Sequence, residues 1–302
     1  MTAKIIDGKE IASKILFELK EQVSHMERKP GISIIIVGDN PVSQVYVRIK
    51  EKRCNEVGII CNKIVLDKEI GEDKLIEAVN KVNNDNQIDG MIVQLPLPKH
   101  INKRKVLNAI DPKKDVDGLH PYNLGSLMIN DSDKTDNKSK LVFSDCSKSK
   151  IYEDFDHNKL IPATALGVIK LLDSTGVDLS GKHATVIGRS ELVGKPVSLL
   201  LQQKNCTVTM CHSGTKDLEK IVKFSDIVVV AIGNPGMIKK EMVKGGAIVI
   251  DVGINKVEEK IVGDVDSEVS EVAGYLTPVP GGVGPMTVAC LLSNVVRVCK
   301  ES

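Results

Sequence analysis

The feature that most constrains this chain is an alternation. Short apolar, largely β-branched runs recur with helix-period segments between them, in two separate series. In the first, the run 32–37 (ISIIIV) closes on GDNP at 38–41, and a helix is predicted over 43–57, stopping at Gly58. A short strand at 63–66, a helix over 72–84 and a buried strand over 90–95 that ends in LPLP complete that series. In the second, strands are predicted at 185–187, 207–211, 227–232 and 247–252, with helices over 193–203 and 218–224. A parallel strand covered on both faces carries no polar alternation, and the return to a parallel neighbour needs a crossover, usually a helix. The expected fold class is therefore α/β, with two doubly wound domains.

Composition narrows the partners. Lys and Arg number 41 against 40 Asp and Glu, a net charge of +1, so the basic excess usual in nucleic-acid-binding chains is missing. Aromatic residues make up 3% and Trp is absent, which leaves little to stack bases on. The longest apolar run, 227–232, has strand length and falls far short of a bilayer span, and the opening MTAKIIDGKE lacks the apolar core of a signal peptide. Seven scattered cysteines form no CxxC pair. Reduced thiols in a cytoplasmic protein are expected, with no metal site, no nucleic-acid partner and no membrane partner.

The second series carries a candidate nucleotide site. Strand residues HATVI at 183–187 run into GRSELVG, so that Gly188 and Gly194 are placed to give a tight turn and a close helix approach, with Val193 just before the helix. Ser190 stands where a second glycine is usual, and alone the motif fits an ordinary strand–turn–helix as readily. The end of the next strand reads CHSGTK at 211–216, with no carboxylate before Asp217 to hold ribose hydroxyls. His212, Ser213 and Lys216 facing Arg189 suit a 2′-phosphate, which predicts NADP rather than NAD; ordinary solvated cations are the competing reading. Two more glycine turns, at Ile232-Gly233 and Gly253-Ile254, follow strands in the same series.

The first series carries candidate chemistry. Tyr46 and Lys50 are four apart on a predicted helix and share a face. A phenol beside an amine can hold a planar heterocycle while the amine exchanges protons, provided burial or neighbouring cations lower its pKa. Most helical lysines are simply solvated. Gln94 ends a buried strand, and Asp115 and Asp117 offer two carboxylates on one loop, able to accept hydrogen bonds from an amino-substituted ring. Near the C-terminus, TPVPGGVGPMT at 277–287 packs three prolines and three glycines into a segment that is stiff yet open to close backbone approach.

Taken together, SQVYVRIK at 43–50, DGMIVQLPLP at 89–98, KDVDGLH at 114–120, GRSELVGKP at 188–196 and TPVPGGVGPMT at 277–287 resemble the bifunctional methylenetetrahydrofolate dehydrogenase/cyclohydrolase family. The resemblance implies oxidation of 5,10-methylenetetrahydrofolate by NADP and hydrolysis of the methenyl product to 10-formyltetrahydrofolate, in a cleft between the domains. It makes Lys50 the general acid/base, tuned by Gln94, with Tyr46 packing on the folate and Asp117 anchoring the pterin. Val93, Leu95, Pro278, Gly281, Gly282 and Val283 would line the folate site. Gly188, Arg189, Ser190, Val193, Gly194, His212, Ser213, Ile232, Gly233, Gly253, Ile254 and Thr287 would serve NADP. A homodimer is implied, with the last helix returning to the first domain. The expected division is 1–129 plus 287–302 for the catalytic domain, 160–286 for a Rossmann-like NADP domain, and 130–159 as a polar insertion whose deletion leaves turnover near normal.

Two departures from the family pattern stand out. The insertion is one. The other is PATALG at 162–167 in place of PCTPxG, where Thr164 is expected to cap the following helix and Ala165 to occupy its first position without proline's preset φ. The competing functional readings are a dehydrogenase of the same architecture without hydrolysis, including one for a shikimate-like acid, and a non-catalytic nucleotide-binding module.

Overall fold

A computed structural model describes residues 2–129 and 160–301. The 130–159 segment lies outside the described residues. In chain order the elements are β1 (Lys4–Ile5), α1 (Gly8–Ser24), β2 (Gly31–Val37), α2 (Pro41–Val57), β3 (Ile60–Leu66), α3 (Glu72–Asn83), β4 (Gly90–Val93), α4 (Lys103–Asn108) and α5 (Pro121–Ser126). Then follow α6 (Ala163–Asp173), β5 (His183–Ile187), α7 (Gly194–Gln203), β6 (Thr207–Cys211), α8 (Leu218–Phe224) and β7 (Ile227–Val230). The last are β8 (Ile248–Asp251), β9 (Asn255–Val257), β10 (Lys260–Val262), β11 (Tyr275–Leu276) and α9 (Val283–Glu301). Every predicted strand and helix is present. The predicted strands 90–95, 227–232 and 247–252 end one or two residues earlier, and their final residues pass into loops at the carboxyl edges of the sheets.

The chain divides into two compact units. One comprises Ser13–Ser126, the described residues 160–163, and the chain from Val288 onward. Its sheet is parallel, in the order β3-β2-β4. All seven residues of β2 are buried, as its unbroken apolar run requires of a central strand. On α3, Leu75, Val79 and Val82 recur at helical spacing and pack with Ile35, Val37, Met91 and Val93. β3 pairs with β2 along its whole length, from Gly31↔Ile60 to Val37↔Leu66, and forms one edge. It therefore starts earlier than its apolar residues alone predict. From α9, the buried Asn294 donates to the carbonyls of Val116 (2.7 Å) and Ile161 (3.1 Å), pinning the loop after β4.

The other unit comprises the residues up to Ala12, residues 127–129 and Thr164–Thr287. Its six-stranded sheet runs β1-β11-β8-β7-β5-β6, parallel throughout. The chain goes from β5 outward to β6 and returns to the other side of β5 at β7, so the strand order reverses between β5 and β7. Such a switch point opens a crevice at the carboxyl ends of the strands.

Three boundaries differ from expectation. β1 pairs with β11 (Lys4↔Tyr275), which groups the first residues with the nucleotide unit rather than with 13–126. Residues 160–163 group with the catalytic unit, where Ala163 N–H donates to Asp117 O at 3.3 Å. Helix α6 begins at Ala163, two residues before the expected position. Thr164 therefore lies inside the first turn, and its Oγ1 meets Thr287 Oγ1 at 3.2 Å instead of capping. Pro162 stands at the helix entrance, where its missing N–H costs nothing.

Among the described residues one helix, α9, is long and apolar enough to cross a membrane, but it is mostly buried within the protein, which accounts for its apolarity.

Candidate active site

In the catalytic unit the structure joins Lys50, Gln94 and Asp117. Lys50 lies in α2 and is only 9% exposed. Its Nζ donates to Gln94 Oε1 at 3.0 Å, and Gln94 Nε2 donates to the carbonyl of Leu95 at 2.8 Å, which fixes the amide with its oxygen toward the lysine. Burial lowers the Lys50 pKa from the ordinary lysine value, while the carboxylate of Asp117 pulls it back up. Burial raises Asp117 in turn, and Lys50 holds it down. A buried amine whose charge is penalised by desolvation and supported by one neighbouring carboxylate is suited to move a proton. Tyr46, half-buried, sits one helical turn before Lys50.

The two loop carboxylates divide their work. Asp115 is buried, and its Oδ2 accepts from His120 N–H (2.7 Å) and Asn123 Nδ2 (2.8 Å), so it staples its own loop. Asp117 accepts no side-chain hydrogen bond among the described residues and keeps its oxygens available. Gly118 adopts φ +72°, and a Cβ there would strike the backbone of Ile161 and Pro162. That close approach explains glycine at this position. Val93 departs from its expected role: its side chain lies in the core with Met91 and Ile101, leaving only backbone for a ligand.

Apart from Thr287, which lies within α9, the expected nucleotide residues follow the carboxyl ends of β5, β6, β7 and β8. Gly188 adopts φ +124° against the carbonyl of Ala231, and a Cβ on Gly194 would overlap the Gly188 carbonyl. Both glycines are thus needed for the turn to close. Ser190 takes the place of the missing glycine by a different means. Its Oγ accepts from the N–H groups of Val193 (3.1 Å) and Gly194 (3.4 Å), satisfying donors at the start of α7 while leaving its own hydrogen to give.

Arg189 and Lys216 are exposed and form no ion pair among the described residues. Ile187 pairs with Cys211, so the loops bearing Arg189 and His212–Lys216 leave adjacent strands. No carboxylate stands at the end of β6. Asp217, in the left-handed region, lies 3.6 Å from Lys220. His212 Nδ1 accepts from Gly214 N–H at 3.1 Å, which leaves Nε2 to carry the proton of the neutral ring. Ile254 is half exposed, an apolar surface in the loop after β8.

In the loop after β11, Gly281 adopts φ +114°, and a Cβ on Gly8 at the start of α1 would overlap the carbonyl of Gly282. The PVPGGVG turn is therefore packed tightly against the first helical turn. Thr287 Oγ1 lies 3.3 Å from the Val283 carbonyl as well as beside Thr164.

Two buried acids went unnoticed in the sequence. Asp251 ends β8, and Asp264 follows β10. Asp251 Oδ1 accepts from the N–H groups of Gly253 (2.9 Å) and Asp264 (3.0 Å), and its Oδ2 from Val265 (2.9 Å). Burial pushes Asp251 up to about 6 in spite of those donors. The only sequence signal was DVGIN at 251–255, and it drew attention to the glycine rather than to the acid. No cluster of three or more metal-ligating side chains occurs among the described residues.

Known proteins place the chain in a family. The family described as tetrahydrofolate dehydrogenase/cyclohydrolase matches twice, through its catalytic domain at residues 6–117 and its NAD(P)-binding domain at 162–302. The chain is 48% identical over 301 residues to the bifunctional protein FolD of Halothermothrix orenii, covering 98% of each chain. Among solved structures, the bifunctional dehydrogenase/cyclohydrolase of Campylobacter jejuni superposes with a TM-score of 0.89 at 41% identity, over 99% of both chains. The Trypanosoma brucei enzyme, solved with NADP cofactor and inhibitor, gives a TM-score of 0.86 at 37% identity, over 100% of this chain and 98% of that one. Shikimate dehydrogenase of Aquifex aeolicus, at 11% identity and TM-score 0.51, shares the fold alone.

Proposed function

The chain belongs to the tetrahydrofolate dehydrogenase/cyclohydrolase family, and we propose how its own residues divide the two reactions. The protein is an NADP-dependent methylenetetrahydrofolate dehydrogenase and methenyltetrahydrofolate cyclohydrolase. It oxidises 5,10-methylenetetrahydrofolate to the methenyl cation and hydrolyses that cation to 10-formyltetrahydrofolate.

NADP, when bound, takes up the hydride. The cradle fits it: Gly188, Val193 and Gly194 form the close turn into α7 where the pyrophosphate would lie, and Arg189, Ser190, Ser213 and Lys216 offer cations and hydroxyls to a 2′-phosphate. His212, Ile232, Gly233, Gly253, Ile254 and Thr287 line the rest of that cradle. On the folate side, Tyr46 packs on the ring system and Asp117 accepts from the pterin. Within the catalytic unit the backbone of Val93 and the side chain of Leu95 extend that surface, and in the nucleotide unit the turn through Pro278, Gly281, Gly282 and Val283 is the further folate-contacting segment. The dehydrogenase step then needs orientation of two rings rather than a protein nucleophile.

Hydrolysis needs proton management, because the methenyl carbon is already electrophilic. Lys50, as the neutral amine, takes a proton from the attacking water. As the ammonium it returns that proton to N5 while the C–N5 bond breaks, and the remaining hydroxyl proton leaves as the formyl C=O forms. One observation carries this assignment, the hydrogen bond from buried Lys50 to Gln94 with Asp117 as the opposing charge.

A coupled absorbance assay tests it by following reduced cofactor and methenyl intermediate separately. Reduction without lasting methenyl is expected from the wild type. Lys50→Ala should accumulate methenyl while still binding NADP, and undiminished hydrolysis would remove Lys50 from the mechanism.

We further infer a homodimer working in the cytoplasm and supplying formyl groups for purine biosynthesis. The exposed apolar residues Ile60 and Val65 on edge strand β3, with Val45 and Ile49 on α2, support self-association. The balanced charge and the cysteines without CxxC spacing support the compartment.

A further inference from the structure

The loops after β7 and β8 carry Ile232, Gly233, Gly253 and Ile254, and one fully buried carboxylate holds both from behind. Asp264 Oδ2 accepts from Ile232 N–H (2.8 Å) and Gly233 N–H (2.9 Å). Its Oδ1 accepts from Asn255 Nδ2 (2.8 Å). Its own N–H is donated to Asp251 Oδ1 (3.0 Å), the same oxygen that receives Gly253 N–H (2.9 Å). Gly233 adopts φ +68°, turning two successive N–H groups toward one oxygen. A Cβ on Gly253 would overlap the Asp264 carboxylate, so the loop rests directly on it.

Three donors converge on this side chain, all of them from the protein. Only an ionised carboxylate offers two acceptor oxygens and no donor. An acid serving a general packing purpose has no need to address two neighbouring ligand loops at once. This one binds Ile232 and Gly233 in the loop after β7 and Asn255, where the loop after β8 runs into β9, and so sets the distance between the two loops.

We propose that Asp264 is a positioning residue for the dinucleotide, fixing the spacing of the β7 and β8 loops so that NADP binding depends on it and hydrolysis does not. The inference rests on assigning these loops to NADP. Asp264→Leu keeps much of the shape but offers no acceptor, so all three donors lose their partner. Asp264→Asn with Asn255→Asp instead reverses the pairing. The amide introduced at position 264 would then accept both backbone N–H groups through its oxygen and donate through its nitrogen to the new carboxylate at position 255.

The test is NADP affinity by titration calorimetry, beside hydrolysis of 5,10-methenyltetrahydrofolate supplied directly, which requires no NADP. Asp264→Leu should weaken NADP binding roughly tenfold or more, the usual consequence of unsatisfied buried donors. Hydrolysis should stay within about twofold, and Asp264→Asn with Asn255→Asp should keep most of the affinity that Asp264→Leu loses, as coupled neighbours do. Unchanged NADP binding in Asp264→Leu would overturn the proposal. So would equal loss of binding and hydrolysis in both Asp264→Leu and the double variant, which would mark a purely structural acid. Gly233→Val separates the two levels of inference. Normal NADP binding in that variant overturns the loop assignment itself, whereas weakened binding there beside normal binding in Asp264→Leu overturns only the role of Asp264.

Discussion

Lys50 is held between two opposed influences. Burial favours its neutral form, and Asp117 favours the ammonium. Removing the carboxylate charge by Asp117→Asn leaves burial unopposed, so the lysine pKa should fall further. A rate limited by the neutral amine rises as pH passes that pKa, and the rising limb of cyclohydrolase kcat should therefore move to lower pH, with folate KM raised through the lost pterin acceptor. A limb that stays in place would show that Asp117 does not act on Lys50. Cofactor choice rests on Arg189 in the same way. Arg189→Ala should raise the NADP KM and leave the NAD KM nearly unchanged, and an equal effect on both would remove the 2′-phosphate argument. Tyr46, Lys50, Gln94 and Asp117 were legible as residues, but the division between Asp115 and Asp117 was not. Both read as acids in one loop, and only the donors His120 and Asn123 show that the first is already committed. Asp251 and Asp264 were illegible for a related reason: apart from Gly253, two residues after Asp251, their partners lie 9 to 32 residues away, at separations that no local pattern records.

The turn from β5 into α7 shows how an element tolerates a departure from its usual pattern. A second glycine would leave the first N–H groups of α7 to the ligand or to water, whereas Ser190 satisfies two of them internally. Ser190→Ala should cost about 1 kcal/mol of stability in denaturant unfolding, the usual worth of such a cap. Gly194→Ala should do more, because its Cβ would overlap backbone that cannot move aside. NADP binding should be lost at a temperature where the fold persists, and normal affinity would show that the turn can relax. The strands of both sheets were legible because a parallel strand is a continuous apolar run. β1 was not, since it is two residues long and takes its register from Tyr275 and Leu276, far away in the chain. The start of α6 was misplaced for a subtler reason. Thr164 has the chemistry of a cap, yet Pro162 already supplies the entrance, and the threonine is used for a contact with Thr287.

For the molecule as a whole, the open question is what covers the edge of the three-stranded sheet. Ile60 and Val65 of β3 are each 57% exposed, and Val45 and Ile49 on α2 are 52% and 43% exposed. A monomer leaving this strand bare would present both apolar side chains and unpaired backbone groups, an arrangement that invites pairing with a second chain. The edge is not defended in the usual ways: β3 has no proline, and its one lysine, Lys63, is turned to Glu51 at 3.4 Å rather than outward. The proposed homodimer would meet both requirements at once, through an interface repeated on each partner. Replacing Ile60 and Val65 together with glutamate sets like charges against each other across such an interface while touching only exposed positions, so the fold itself should lose little. Sedimentation should then show a species near the 32.8 kDa of one chain, with the wild type expected at twice that mass. Tyr46 and Lys50 lie on the same helix as Val45 and Ile49, so residual turnover by the separated chains would show that the interface supports stability rather than chemistry. A wild type that sediments as a single chain, or a variant that remains paired, would show that something other than a second copy covers β3.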